Sequence, residues 1–487
     1  MTKVLEAASW EGRIFSGGWT TGAGGAIEVL DKATDEVLAV VGSAAPDDVR
    51  RAGETATRAQ RVWALTPGKE KARILRRAAA LFEERTDEIT EWILRETGGI
   101  RPKAAFEINY AIDRLTATSA LCTQPYGELI APTDPDQTSI AQRVPIGVVG
   151  AITPWNAPLA LGMRALAPAL ALGNAVLLKP DPQTPVSGGF LVAEILEAAG
   201  LPEGLFHVLP GGAETGASVV LDPSVTMVTF TGSTRVGRRV GELAGGALKR
   251  VSLELGGNNA IVILDDADVE VASSAGSFGS FFHQGQICMT AGRHLVDERV
   301  ADEYRDAIAR RARALPVGDP FTEEVAVGPM INHRQLERVE QIVRDTEAAG
   351  ARVVAGGTHD GRYYQPTVID GVLPDMPAFT EEIFGPVAPI TIFSSDEEAI
   401  ELVNRTEYGL SAAISTSNPS RGLAIARRLR VGMVHINDQT IADEPNAPLG
   451  GFGISGNGGR FGSQAEWDEF TQWQWVTLRD KQREYPF

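Results

Sequence analysis

Short apolar runs alternate with longer segments of mixed polarity between residues 148 and 253. The longer segments, near 158–172, 185–199, 213–221 and 234–246, are predicted to be helices. Strict alternation of strands and helices predicts a parallel sheet with helices on its faces, an α/β fold. The apolar runs predict strands at Val148–Ile152, Ala175–Lys179, Phe206–Leu209, Met227–Phe230 and Arg250–Leu253.

A second α/β pattern follows over residues 257–450. It predicts helices near 300–314, 333–348 and 396–404, and strands near Ile261–Leu264, Ala351–Val354 and Val387–Phe393. Beyond it, Gly450 to Gly462 is dense in glycine but has no Gly-Lys-Ser/Thr ending, so we interpret it as a flexible turn and not as a phosphate loop.

The segment up to Gly98-Gly99 shows no visible chemistry. Short β-rich runs at Ala26–Leu30 and Val37–Val41 precede Pro46-Asp47-Asp48, whose acidic residues suit the start of a helix. Helical spacing of Leu75, Ala79 and Phe82 predicts a scaffold of helices that ends at Gly98-Gly99. Two extended runs, Glu128–Ala131 and Thr138–Val144, then flank a turn cluster.

One stretch, residues 157–178, is apolar over about the length of a membrane-spanning helix. Arg164 lies in its middle, Pro158 and Pro168 interrupt it, and Gly173-Asn174 stops it. We therefore predict an amphipathic helix, a turn and a buried strand in a soluble chain. Met1–Phe15 has no apolar core, so no secretory signal is predicted.

Composition narrows the possible functions. A chain of 487 residues suggests two or three domains, and its net charge of −18 argues against nucleic-acid and anionic-membrane partners. Two cysteines cannot form a disulfide framework, which favours a reducing, cytoplasmic location. The six histidines are scattered without ligand spacing, so no metal site is predicted.

One of the two cysteines, Cys288, lies among small and amide residues in the stretch His283–Thr290. A thiol becomes a good nucleophile only as the thiolate, which requires a polar, partly accessible pocket and usually a base. The alternative is a buried cysteine that acts as a small hydrophobe. Cys122 has no such candidate partners nearby.

Two further residues carry candidate chemistry. Glu254 ends an apolar run just before Gly256-Gly257, where a carboxylate can act as general base for water; the alternative is a solvated surface carboxylate. Asn156 follows a strand and precedes a helix, so its amide can point at a developing oxyanion. Its alternative role is a helix N-cap.

Six motifs in order and spacing resemble the aldehyde dehydrogenase superfamily over nearly the whole chain. Each is weak by itself, but six in order form a specific signal. Arg101-Pro102-Lys103, the runs 432–439 and 458–462 and the ending Tyr485-Pro486-Phe487 are most similar to benzaldehyde dehydrogenases. The six are Pro154-Trp155-Asn156, Lys179-Pro180, Phe230-Thr231-Gly232-Ser233-Thr234, Glu254-Leu255-Gly256-Gly257, Gly285-Gln286-Ile287-Cys288 and Glu382-Ile383-Phe384-Gly385-Pro386.

The resemblance implies a domain plan and an assembly. A parallel-sheet cofactor-binding domain would comprise residues 1–122 and 145–256, and an α/β catalytic domain residues 257–468. Residues 123–144 and 469–487 would form a β oligomerisation arm, in which Thr138–Val144 pairs with the tail Phe470–Leu478. A homodimer or homotetramer is expected.

The resemblance also implies the roles of the three candidate residues. Cys288 attacks the aldehyde carbon, and Asn156 with the backbone N–H of Cys288 holds the oxyanion of the thiohemiacetal. Hydride leaves for the nicotinamide, and Glu254 activates the water that hydrolyses the remaining thioester. A CoA-acylating or aliphatic semialdehyde dehydrogenase is the alternative enzyme, and a catalytically silent member the non-enzymatic one.

The implied cofactor is NAD, with NADP as the alternative. Many NAD-preferring members have a glutamate three residues after the lysine, whereas this chain has Pro182. The missing carboxylate removes both a hydrogen-bond acceptor for the ribose and a repulsion against a 2′-phosphate. The expected cofactor residues are Ile152, Thr153, Trp155, Lys179, Gly212, Ser233, Leu255, Glu382 and Phe384.

The expected substrate is a small aromatic aldehyde resembling benzaldehyde, with vanillin and salicylaldehyde as candidates. By resemblance, the substrate tunnel begins just after Asn156, where the side chains are small. An apolar slot with room for a ring results. The expected pocket residues are Ala157, Ala160, Leu161, Ile287, Met289 and Leu449.

Overall fold

The computed structural model describes residues 10–462 and 464–487. Most of Met1–Phe15, the segment in which no secretory signal is predicted, lies outside the described residues. The helices are α1 (Pro46–Leu65), α2 (Gly68–Glu84), α3 (Thr86–Thr97), α4 (Arg101–Leu121), α5 (Pro158–Ala171), α6 (Leu191–Ala199), α7 (Ala213–Leu221), α8 (Thr234–Gly246), α9 (Val269–Phe281), α10 (Ala301–Ala314), α11 (His333–Ala348), α12 (Pro377–Thr380), α13 (Asp396–Asn404), α14 (Pro419–Ala426) and α15 (Ala465–Phe470). The strands are β1 (Arg13–Ser16), β2 (Trp19–Thr21), β3 (Ala26–Leu30), β4 (Val37–Gly42), β5 (Gly127–Ile130), β6 (Thr138–Pro145), β7 (Val148–Ile152), β8 (Ala175–Lys179), β9 (Phe206–Val208), β10 (Val225–Thr231), β11 (Arg250–Glu254), β12 (Asn259–Ile263), β13 (Ala291–Asp297), β14 (Arg352–Ala355), β15 (His359–Asp360), β16 (Tyr363–Tyr364), β17 (Thr367–Asp370), β18 (Val387–Phe393), β19 (Tyr408–Gly409), β20 (Ser411–Ser415), β21 (Met433–Ile436), β22 (Phe452–Gly453) and β23 (Thr471–Leu478).

The first sheet has the strand order β11-β10-β7-β8-β9-β1-β2. Its strands β7 to β11 are parallel, as predicted, while β1 and β2 add antiparallel pairings at one edge. Because β7 comes first in the chain and has β8 on one side and β10 on the other, the winding direction reverses between β7 and β10. Such a switch point opens a crevice at the carboxyl ends of the strands.

The second sheet has the order β14-β17-β18-β13-β12-β20-β21. All its neighbouring strands are parallel except β14 against β17. The strand predicted near Ile261–Leu264 begins two residues earlier, at Asn259. In chain order the first sheet ends at Glu254 and the second begins at Asn259; the domain limits themselves remain a prediction.

Helices α1 to α4 form the expected scaffold against the first sheet. Val49, Leu75 and Ile108 of these helices are buried in one core with Leu177 of β8. Gly98 ends α3 in a left-handed conformation, φ 68°. A Cβ there would lie 2.9 Å from the carbonyl oxygen of Pro329, so glycine allows this helix end to approach the second half of the chain.

The arm is a separate sheet of the order β23-β6-β5. β23 pairs with β6 along its whole length, antiparallel, from Thr471 opposite Pro145 to Leu478 opposite Thr138. The predicted pairing of arm and tail is therefore confirmed. Trp473 and Trp475 nevertheless remain 54% and 70% exposed on this sheet.

The apolar stretch 157–178 divides into α5 and β8, as predicted. Throughout the part of the chain that the structure describes, no helix has the length and apolar character needed to cross a membrane. One helix differs from its expected form: the segment predicted over 185–199 opens with a π turn, Val186–Phe190, before α6 begins. The buried carboxylate of Glu96 binds the backbone N–H groups of Val186 and Ser187 at 2.9 and 2.7 Å in that turn.

Candidate active site

The loop that carries Cys288 starts from a strained turn, Phe282–Gly285. His283 (φ 49°) and Gln284 (φ 56°) adopt left-handed conformations inside it. Such backbone strain costs about 1–3 kcal/mol per residue and persists only where the surroundings impose it. Here the Gln284 amide donates to the carbonyl oxygens of Gly98 and Pro329, at 2.7 and 2.8 Å. The turn is thus anchored to the end of α3.

The backbone around the cysteine is held by Asn259, the first residue of β12. Its Nδ2 donates to the carbonyl oxygens of Cys288 and Thr290, both at 2.8 Å, and its Oδ1 accepts the N–H of Ser411 at 3.0 Å. A Cβ on Gly257 would lie 2.4 Å from the Cys288 carbonyl oxygen. Glycine at that position therefore lets the two segments meet.

Asn156 lies between β7 and α5, where the sequence places it. Its Nδ2 donates to the carbonyl oxygen of Gln286 at 2.9 Å. The helix N-cap is Ala157, so Asn156 does not have the capping role considered as its alternative. The Gln286 side chain in turn accepts the N–H of Ile331 at 3.1 Å. The amide of Asn156 is thereby joined to the cysteine loop.

Glu254 ends β11 as a buried side chain, 4% exposed, and not as a surface carboxylate. Its Oε1 has no hydrogen-bond partner among residues 10–462 and 464–487. Burial raises the pKa of this carboxyl to about 8, although the guanidinium groups of Arg164 and Arg460 oppose the shift. A carboxyl that titrates close to neutral pH is suited to general base catalysis.

The glycine-dense segment packs against the strand that Glu254 ends. The Asn457 side chain accepts the N–H of Leu253 and donates to the carbonyl oxygen of Val251, both at 2.8 Å. A Cβ on Gly456 would lie 2.9 Å from the Leu253 carbonyl oxygen. In place of a flexible turn, the segment is a packed support whose glycines permit close approach.

Burial raises the pKa of the Cys288 thiol to about 12. Arg164 acts in the opposite direction, and the carboxyl groups of Glu382, Glu254 and Asp443 add to the increase. The side chain is nevertheless partly accessible. A thiol with so high a pKa favours the protonated form at neutral pH, so it becomes a nucleophile only after that proton is removed.

A cavity adjoins the thiol, and apolar atoms dominate its surface. Leu449 does not line it: this side chain is buried in an apolar cluster with Met289, Leu410 and Ile441. The prediction that Leu449 faces the substrate is therefore wrong, because this side chain packs within that cluster. The other predicted residues do line the cavity, namely Asn156, Ala157, Ala160, Leu161, Ile287, Cys288 and Met289.

Several lining residues were not predicted. Phe106 adds an aromatic wall from α4, and Phe282 adds another from the strained turn, where its ring stacks on Phe278 with centroids 4.6 Å apart. The aromatic side chains carry no spacing signal that would link them to Cys288. The full set of unpredicted residues is Lys103, Phe106, Arg164, Phe282, His283, Ile441 and Asp443.

The helix that bears Ala160 is capped from α4. The Glu107 carboxylate accepts the N–H groups of Leu159 and Ala160 at 2.9 and 3.2 Å. A buried ion pair with Lys103 completes the cap. Negative charge at a helix N-terminus is stabilising, so this carboxylate fixes the wall of the cavity that begins α5.

Arg164 of α5 is 4% exposed and forms a buried ion pair with Asp443. Its Nε faces the Tyr110 hydroxyl at 3.5 Å. The signal for such a pair was present in the sequence, since a lone arginine in an apolar helix requires an anionic partner when buried. Its partner was not identifiable, because Asp443 lies 279 residues further along the chain.

Residues expected to bind the cofactor gather at the carboxyl ends of the first sheet, around the switch point between β7 and β10. They belong to five different strand ends or the turns that follow. These are Ile152 at the end of β7 and Thr153 just after it, Lys179 at the end of β8, Gly212 before α7, Ser233 before α8 and Leu255 after β11.

The donors at these positions fit a dinucleotide. Lys179 is 8% exposed, and burial lowers its pKa although Asp181 opposes the shift; no hydrogen bond or ion pair of its ammonium group is found within the described chain. The buried Thr153 Oγ1 also lacks a partner among those residues. Gly212 and Ser233 are the N-caps of α7 and α8, and a Cβ on Gly212 would meet nothing within 4 Å. Open helix N-termini attract phosphate groups.

Trp155, Phe384 and Glu382 approach the same region from two sides. The rings of Trp155 and Phe384 meet edge to face, with centroids 5.5 Å apart and planes at 89°. Glu382 accepts the N–H of Gly257 at 2.9 Å, and burial raises its pKa to about 7. A Cβ on Gly256 would lie 2.4 Å from its carboxylate, so the paired glycines make room for Glu382 as well as for the cysteine loop.

Histidines in the interior are neutral. Burial lowers the pKa of His207 to about 4 and that of His294 to about 3. His283 beside the cavity is buried too, and its pKa is well below the usual value. Within residues 10–462 and 464–487 no three histidine, cysteine or acidic side chains are grouped so as to hold a metal ion.

Comparison with known proteins gives a match to the aldehyde dehydrogenase family over residues 19–476. The chain is 51% identical over 487 residues to benzaldehyde dehydrogenase [NAD(+)] of Pseudomonas putida, covering 100% of both proteins. It is 50% identical over 484 residues to vanillin dehydrogenase of Amycolatopsis sp., covering 99% of each. Among solved structures, an NADP-dependent enzyme of E. coli superposes with a TM-score of 0.94 at 34% identity, covering 97% of this chain and 99% of that one.

Proposed function

This chain belongs to the aldehyde dehydrogenase family, and we propose that it oxidises an aromatic aldehyde to the carboxylate with NAD, and less readily with NADP. The observation that carries the proposal is the apolar cavity, walled by Phe106 and Phe282, that ends at Cys288 beside Asn156. Aromatic walls and small side chains at Ala157 and Ala160 favour a flat ring over a flexible polar chain. The names of the relatives at about half identity point to the same substrates.

Cys288 is the proposed nucleophile. Its sulfur bonds to the aldehyde carbon, and the resulting oxyanion receives hydrogen bonds from Asn156 and from the backbone N–H of Cys288. An amide group has two N–H donors, and one of those of Asn156 is used on the Gln286 carbonyl oxygen. The second remains for the oxyanion, while the first keeps the amide oriented.

Glu254 is the proposed base. A carboxyl group with a pKa of about 8 is partly ionised at neutral pH and can remove a proton from water without being held permanently as an anion. The activated water then attacks the thioester carbon, and the Cys288 sulfur leaves. A CoA-acylating enzyme has no need of such a base, which disfavours that alternative.

The proposed cofactor site uses the residues at the sheet ends. Gly212 and Ser233 offer helix N-termini to the phosphates, and Lys179 and Glu382 offer a donor and an acceptor to ribose hydroxyl groups. A dinucleotide held by these residues would supply the acceptor for the hydride released from the substrate carbon. Phe384, whose backbone is held in a left-handed conformation (φ 56°), would form one side of the site at the nicotinamide end.

The assembly is proposed to be a homodimer or homotetramer formed through the arm. Its three-stranded sheet exposes Leu129, Trp473 and Trp475, at 77%, 54% and 70%. Large exposed apolar side chains and free strand edges are typical of surfaces that bind another chain. Because Cys288 must remain a free thiol, we also propose a reducing, cytoplasmic location, where aromatic aldehydes would be consumed as degradation intermediates.

One experiment tests the proposed function. The protein is mixed with benzaldehyde and NAD, with and without CoA, and absorbance of the reduced cofactor is followed. We expect turnover independent of CoA and a carboxylate product. Strict dependence on CoA would support the acylating alternative, and no turnover with any member of an aliphatic and substituted aromatic panel would indicate a silent member.

A further inference from the structure

The helix α5 contains a single charged residue, Arg164, in a sequence that is otherwise apolar. Arg164 and Asp443 line the same cavity as Cys288. Nη2 forms the ion pair with Asp443, and no bond from Nη1 is found within the described parts of the chain. A buried charge of this kind is expensive to maintain, which indicates a use for it at this place.

The groups that act on the thiol come from four parts of the fold. Glu254 lies at the end of β11, Glu382 precedes β18, Asp443 follows β21 and Arg164 belongs to α5. Three of these groups carry negative charge when ionised, and Arg164 carries the positive one. In a low-dielectric interior a cation favours the thiolate, whereas each carboxylate disfavours it.

Other polar and charged groups reach the pair from α4. Tyr110 faces the Arg164 Nε, and the Arg114 guanidinium donates to the Arg164 carbonyl oxygen at 3.4 Å. Arg114 is itself paired with buried Glu466. Lys103 and His283 line the cavity as well, but Lys103 is neutralised by its partner Glu107 and His283 is uncharged.

We propose that Arg164 and Asp443 are a positioning pair that controls how readily Cys288 becomes a thiolate. The Arg164 cation stabilises the sulfur anion, and Asp443 both holds the guanidinium in the cavity wall and limits its effect. The thiol proton passes to solvent, and no electrons are transferred. The inference rests on the proposed role of Cys288 as nucleophile.

The two charges have opposite effects on the thiol, which makes the proposal testable with a matched pair of variants. In a Cys122→Ser background Cys288 is the sole cysteine. Its thiolate displaces iodide from iodoacetamide, forming an S–C bond as the C–I bond breaks, and intact-mass spectrometry gives the rate from pH 6 to 10. This assay needs neither aldehyde nor cofactor.

We expect Arg164→Gln to slow alkylation about tenfold at any pH below the thiol pKa, since one nearby charge moves a pKa by about one pH unit or more. Asp443→Asn should instead accelerate it several-fold, because the guanidinium then acts unopposed. Arg164→Lys should restore most of the rate. Tyr110→Phe, which removes a neutral neighbour of Arg164, should leave the pH profile unchanged.

Loss of one member of a buried ion pair is destabilising, so thermal unfolding of each variant is measured first. A merely structural pair would change the alkylation rate in the same direction in Arg164→Gln and Asp443→Asn, and that result would overturn the proposal. Equal rates in all variants would overturn it too. If Arg164→Gln does not fold, Asp443→Asn alone still tests the proposal: faster alkylation than in the wild type supports it, and an equal or slower rate overturns it. Failure of the wild type to oxidise any aldehyde, with these shifts intact, would refute the proposed function and not the pair.

Discussion

The buried carboxyl group of Glu254 gives the strongest prediction, because it links activity and stability to one titration. Glu254→Gln preserves size but removes the base. The thioester at Cys288 forms before water reacts, so its formation does not need this base. The first hydride transfer should therefore proceed, and hydrolysis of the thioester should stop. We expect a burst of one reduced cofactor per active site, slow turnover afterwards, and an acyl-enzyme detectable by intact mass.

The magnitude follows from the pKa of about 8. Roughly a tenth of the molecules carry the carboxylate at pH 7 and about nine tenths at pH 9, so wild-type hydrolysis should rise nearly tenfold between them. Unfolding returns the group to an ordinary glutamate, near 4.5. The native state then binds more protons than the unfolded state between pH 4.5 and 8, and stability falls as pH rises through this window, by about 4–5 kcal/mol in all.

Two measurements check this reasoning. Stopped-flow absorbance gives the burst and the steady rate of both proteins from pH 6 to 9.5, and thermal unfolding gives their stabilities over a wider range. Glu254→Gln should lose the rise of the hydrolysis rate with pH. Its melting temperature should lie above that of the wild type at pH 9 but close to it at pH 4.5. Loss of the burst would mean that Glu254 acts earlier, for example on the thiol, and equal melting temperatures at pH 9 would refute the buried, unpartnered carboxylate.

The remaining predictions concern the thiol, the cofactor and the arm. Cys288→Ser should abolish oxidation while cofactor binding, measured by calorimetry, persists; Cys122→Ser should stay active, and the reverse result would refute the assignment. Pro182→Glu should raise the preference for NAD over NADP by about ten- to a hundredfold in kcat/KM, since a hydrogen bond to a charged group contributes roughly 1.5–3 kcal/mol; a wild type that already rejects NADP by several orders of magnitude would contradict this. Deleting residues from Trp473 onward removes most of β23, one of the two strands that pair with β6, and should reduce the assembly size measured by light scattering, whereas an unchanged size would show that the tail is not an assembly element.

Local pattern was sufficient for much of the fold. The strands β7, β8 and β18 and the helices α7, α8, α11 and α13 have the predicted limits. The limits of such elements can be predicted from apolar runs bounded by glycine and proline, because strand and helix formation depend on neighbours within a few residues. The order of six motifs likewise identified the family and drew attention to Cys288, Glu254 and Asn156.

The surroundings of those residues were decided by tertiary structure. Sequence left Glu254 open between base and surface carboxylate, and the tertiary structure decides it by burying the side chain at the end of β11, the strand against which the glycine-dense segment packs. Asn259, which clamps the Cys288 backbone, and Asp443, which pairs with Arg164, have no local pattern that marks them. The charge state and position of a buried side chain depend on atoms brought together from distant parts of the chain, and short-range periodicity carries no information about those contacts.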